Sequence, residues 1–155
     1  MTQRDEAIEI YRKVISLVYR ELGAMRAENH EVLHQKSSLP GSELARDRKD
    51  IARRIYCGTR FESDPHRLEA SYSHVWGLSL EDALDAFRDG DWLLGGRKYS
   101  FGGQKWAAIA DAAIRLRTAI KSDDQVAMLA LLDEVPLLTH NNGPLTDKFR
   151  ELICP

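Results

Sequence analysis

The chain has 155 residues, 22 Lys and Arg against 24 Asp and Glu, 43% apolar residues and a formal charge of −2. A chain of this length buries roughly 70% of the surface its unfolded form exposes, so a single domain over 1–155 can hold a core without metal or disulfide staples. The near-neutral charge disfavours wholesale electrostatic binding to nucleic acid or anionic membrane and leaves that chemistry to a local patch; the apolar fraction excludes a disordered chain.

The N-terminal stretch mixes acids with bases and lacks an apolar run, so it reads as neither a signal nor a transit peptide. No segment approaches the ~18 apolar residues that span a bilayer. Two cysteines, Cys57 and Cys154, are too few for a disulfide framework and read as thiols of a reducing cytoplasm.

In chain order, Ile8, Tyr11, Ile15, Val18, Leu22 and Met25 recur at spacings of three and four and predict one amphipathic helix of about three heptads, which Gly23 weakens but does not end. Ser37-Ser38-Leu39-Pro40-Gly41-Ser42 predicts a loop. A helix from about Glu43 to Tyr56 follows, with Leu44, Ile51 and Ile55 inward and Gly58 just past its end. Asp64-Pro65 supplies an N-cap and a first helical position, Leu68, Tyr72, Val75 and Trp76 a buried face, and Gly77 a stop. Ser79-Leu80-Glu81-Asp82 has the form of a capping box, with Ala83, Leu84 and Phe87 continuing inward to Gly90.

The stretch 92–106 holds four of the ten glycines and predicts a Gly-rich loop at 95–103. A C-terminal helical hairpin over about 103–121 and 123–135 then places Trp106, Ile109, Ala110, Ala113, Leu116 and Ile120 inward on its first arm. Ser122-Asp123-Asp124-Gln125 starts the second arm, whose face is Val126, Leu129, Leu132 and Val135; Pro136 stops or kinks it. Pro144 opens a short last helix. With no sustained period-two alternation, the fold class is an all-α, single-domain bundle of about six or seven helices.

The hairpin carries the main functional expectation. Its short turn forces the arms antiparallel, so His140, Asn141, Asn142 and Gly143 come back beside Gly102 and Gly103. Between Asp91 and Asp111 there is no carboxylate but there are three cations, Arg97, Lys98 and Lys105. Unpaired amides at a helix start, with Tyr99 and Ser100 beside them, favour an anion. The same glycines and aromatic residues also suit tight turns that plug the end of a core.

A second signal is His30-Glu31-Val32-Leu33-His34. Two imidazoles at i and i+4 share a helix face, and the motif resembles the active site of the zincin metallopeptidases. The resemblance implies zinc, with His30 and His34 as ligands and Glu31 as general base. The heptad phase places His30 at b and His34 at f, away from the apolar seam.

A third signal is Arg67 with His74, an Arg-x6-His spacing that resembles the all-α HEPN ribonucleases; Arg60 with His66 has the Arg-x5-His form. The resemblance implies a metal-independent site in which an arginine holds a phosphodiester and a histidine moves a proton. Arg46, Lys49 and Arg53 form a basic stripe interrupted by Asp47 and Asp50, which reads as a solvated face.

The first expectation is therefore a cytoplasmic helical binding protein without a membrane role. Its ligand would be an anionic small molecule, a nucleic-acid phosphate or an acidic protein segment. A small zinc-dependent hydrolase is the second expectation and a ribonuclease the third. The heptads of the first helix suit a bundle seam and a homo-oligomer seam equally well.

Overall fold

A computed structural model describes residues 2–28, 41–89, 101–137 and 154. These residues form six α-helices and no strands: α1 (Gln3–Glu28), α2 (Gly41–Gly58), α3 (Pro65–Trp76), α4 (Leu80–Asp89), α5 (Phe101–Ser122) and α6 (Gln125–Leu137). The chain is an all-α bundle. None of the described helices is long and apolar enough to cross a membrane.

The local signals explain most of the boundaries. Thr2 and Asp5 exchange side-chain to amide bonds of 3.1 and 3.2 Å at the start of α1, and Ser79 and Asp82 do the same at 3.1 Å each before α4. Asp64 accepts the His66 amide at 3.0 Å with Pro65 as the first residue of α3. Gly77 ends that helix in the left-handed region at φ 71°, its N–H donating to the Ser73 carbonyl at 2.7 Å. The proposed last helix after Pro144 lies outside the described residues.

Helix α1 is the axis of the fold and packs against all five others. Its predicted seam of Ile8, Tyr11, Ile15, Val18 and Leu22 is buried, and so are Val14, Leu17 and Tyr19. The described part of the seam is therefore spent inside the bundle. Tyr19 stacks on Tyr72 with centroids 5.3 Å apart, and Trp76 closes the cluster at 5.6 Å from Tyr19. The α5 face is buried as predicted, and its small residues Ala107, Ala110, Ala113 and Ala119 permit close approach of neighbouring backbones.

The hairpin turn, the inward face of α6 and the state of the cysteines differ from expectation. The hairpin exists, but Ser122 ends α5 and does not cap α6. Asp123 adopts φ 53°, the amides of Asp123 and Asp124 bond back to Ile120 and Ala119, and the Asp124 carboxylate caps Ala127 at 3.1 Å. This is a Schellman closure followed directly by an N-cap, so one tight turn serves both helices.

The inward face of α6 is also different. Met128 and Leu131 are buried, whereas Val126 and Leu129 are 82% and 56% exposed. Almost every position in QVAMLALLDEVPL is apolar, so periodicity has no polar side against which to define a face.

Finally, Cys57 and Cys154 are not separate thiols. They form a disulfide with Cα atoms 5.5 Å apart across a sequence separation of 97. At that separation no spacing pattern signals the pair; only the fold brings the end of α2 to the end of the chain.

Candidate functional site

Helix α5 begins at Phe101, so Gly102 and Gly103, expected in the loop at 95–103, lie in its first turn. Once the alanine-rich body of the helix has formed, each further residue adds a hydrogen bond, which offsets the ~1 kcal/mol that a glycine costs. No acidic residue occupies this first turn. The free amides and the positive end of the dipole are thus not answered by a carboxylate of the helix itself.

Lys105 is described as backbone within α5. Arg97, Lys98, Tyr99 and Ser100, and His140, Asn141 and Asn142 on the other side of the expected site, fall outside the described residues. So do His30, Glu31 and His34, since α1 is described to Glu28. Among the described residues, no group of three His, Cys, Asp or Glu side chains could hold a metal ion.

Arg67 and His74 are both exposed on α3, two turns apart. The Arg67 Nε lies 3.7 Å from Glu62 Oε1 and 3.9 Å from Asp64 Oδ2. A phosphodiester approaching this guanidinium would meet two carboxylates as well. The His66 amide, helped by the Lys121 ammonium, holds the Asp64 carboxyl below its usual range against an opposing effect of desolvation. Arg60 lies over the Phe61 ring at 5.0 Å. On α2, Asp50 pairs with Arg53 at 3.1 Å and Arg54 at 2.7 Å, as a solvated face should.

Two polar networks were not legible in the sequence. Arg12, Ser16 and Arg20 stand one turn apart on α1 and are buried. The Arg12 guanidinium donates to Glu9 and to the Tyr56 carbonyl at 2.6 Å each and lies 4.4 Å from the centre of the Tyr56 ring. The Tyr56 hydroxyl donates to Glu9 at 2.9 Å, and Ser16 donates to the Ala52 carbonyl at 3.3 Å. Burial pushes the Tyr56 hydroxyl up, and its bond to Glu9 adds to that shift.

The second network joins α3, α4 and α5. Arg117 donates to Glu69 at 2.6 Å and to Glu81, while the other Glu69 oxygen accepts the Leu80 amide at 2.9 Å. Arg117 and Glu69 side chains are each only 12% exposed. The bonds of Arg12, Tyr56, Ser16, Arg117 and Glu69 tie one helix to another, so their chemistry is that of fixed orientation. Charged positions that read as an outward face are enclosed because α1 has neighbours on nearly every side.

Among the described residues, two furrows bear on function. One, about 350 Å³, runs between α5 and α6 over Ile114, Ala119, Ala127 and Leu131, with the Arg115–Glu134 pair along it. The other, about 450 Å³, lies between α1 and α6. Comparison of the chain with protein-family models, with curated proteins and with solved structures returns no match, so the functional reading rests on the residues themselves.

Proposed function

We propose that the protein is a helical binding protein that takes an anionic ligand at the N-terminal end of α5. The ligand group is a phosphate or carboxylate, carried by a small molecule, a nucleic acid or an acidic protein segment. The observation that carries this reading is the start of the 22-residue α5 at Phe101, with Gly102 and Gly103 in a first turn free of acids. Arg97 and Lys98 stand just before that turn in sequence and Lys105 stands just after Gly103, so an anion there gains amide donors, dipole and cations together.

The hairpin geometry also sets a condition on the second half of the site. Gly103 lies ~29 Å along α5 from Ser122, and Leu137 lies ~18 Å along α6 from Gln125, at 1.5 Å per residue. The three residues from Leu138 to His140 reach ~10 Å when extended. His140, Asn141 and Asn142 join the glycine amides only through a taut return of the chain.

Titration with inorganic phosphate and with a short single-stranded oligonucleotide tests the reading. Arg97→Ala combined with Lys105→Ala should weaken binding of the anionic probe about tenfold, an effect of ~1.4 kcal/mol. The loss should shrink as salt rises, with an unchanged melting temperature. Equal affinity of wild type and double variant would leave the glycine-rich start of α5 as helix structure alone.

A further inference from the structure

Helix α6 carries apolar residues on its outward side as well as on the side that packs against α1 and α5. Met128 and Leu131 belong to the core, while Val126 and Leu129 are 82% and 56% exposed on the opposite side. A helix apolar all round normally lies inside a protein. Here the outward side borders the furrow between α1 and α6, which is lined by Ile10, Leu129 and Leu132 and by the carboxylates of Glu6, Glu9 and Asp133.

The two helices run parallel along this furrow. Gln3 Nε2 donates to the Gln125 carbonyl at 2.6 Å and clasps their starts together, and the lining residues advance in step from Glu6 to Ile10 and from Leu129 to Asp133. Glu9 is fixed by Arg12 and Tyr56. Among the described residues, neither Glu6 nor Asp133 is ion-paired. Among the described residues no cation lines the furrow; of the basic residues that follow along α1, Arg12 is buried against Glu9 and Tyr56, and Lys13 has an interaction of its own.

We propose that this furrow docks a basic amphipathic helical segment of a partner protein, with its apolar residues on Ile10, Leu129 and Leu132 and its Lys or Arg side chains on Glu6 and Asp133. An apolar floor with charge on its rim is the helix-in-groove mode of recognition, and the sign of the rim selects the partner. A second copy of this chain would bring the acidic face against itself, and an anionic membrane surface would be repelled by the same carboxylates. The surface is separate from the N-terminal end of α5 and does not depend on it.

The test uses two fluorescein-labelled synthetic helical peptides, one of leucine and lysine at i, i+3, i+4 spacing and one with glutamate in place of lysine. Anisotropy should show the basic peptide binding at least tenfold more tightly than the acidic one. Amide shifts should appear in the first half of α1 and in α6. Glu6→Lys with Asp133→Lys should weaken the basic peptide at least tenfold and Leu129→Glu should abolish binding, whereas Phe61→Ser, at an exposed apolar site elsewhere, should change nothing. All four positions are exposed, and unaltered thermal melts confirm that the variants fold. Equal binding of the two peptides overturns the proposal, as does full binding by the charge-reversed variant. Dimerisation that Leu129→Glu abolishes, or docking of the wild type on phosphatidylserine vesicles, would assign the furrow to another occupant and also overturn it.

Discussion

Glycines 58 and 77 look alike in the sequence, each closing a helix, but they do different physical work. Gly77 sits at φ 71°, where a side chain collides with the following carbonyl. Gly58 is the last residue of α2, its φ is not in the left-handed region, and an added methyl group would meet nothing within 4 Å. Urea denaturation should therefore show Gly77→Ala losing about 1 kcal/mol and Gly58→Ala gaining about 0.5 kcal/mol. Equal effects would mean that the two helix ends are not built differently. The stop at Gly77 was readable from residue types alone; the ordinary helical role of Gly58 was not, because glycine marks an end without saying which backbone angle closes it.

At the scale of elements, the caps before α1, α3 and α4 come through clearly, since a cap involves residues two or three apart. Faces come through only where polar residues mark the other side: α3, α4 and α5 were legible, whereas apolar α6 was not. Between α5 and α6, Arg115 meets Glu134 through two bonds of 2.6 and 2.9 Å and Asp111 through one of 2.9 Å. Hydrogen bonding to Arg115 holds the Glu134 carboxyl below its ordinary range, against a smaller opposing effect of burial. A depressed folded-state pKa contributes stability above the unfolded value near 4.5, and that contribution is lost as pH falls through the folded value. Between about pH 5 and 3, wild-type stability should thus fall more steeply than that of Arg115→Gln, while at pH 7 this half-exposed pair should cost less than about 1 kcal/mol. Identical acid slopes in thermal melts would show that the pair does not join the arms in solution.

Across the whole molecule, the disulfide is the feature most remote from sequence reasoning. It ties the end of α2 to residue 154 and closes a loop of about 100 residues, for which chain entropy gives roughly 4–5 kcal/mol. Cys57→Ser should lower the melting temperature by on the order of 10 °C for a domain of this size. Thiol titration of unreduced wild type should find no free cysteine; two free thiols would restore the expectation of a reduced pair. The candidate sites divide in the same way. The acid-free first turn of α5 follows from residues adjacent in sequence, while the acidic furrow needs α1 and α6, over 100 positions apart, to lie side by side. The sequence by itself determined the helical class, most of the caps and buried faces and the hairpin, because each depends on contacts within about two turns of chain. Only the tertiary structure decided that α1 is the enclosed axis, that Arg12 and Arg117 turn inward, that Cys57 meets Cys154 and that α6 leaves an apolar side uncovered. These outcomes depend on which neighbours a helix acquires, and no local pattern encodes the number of neighbours.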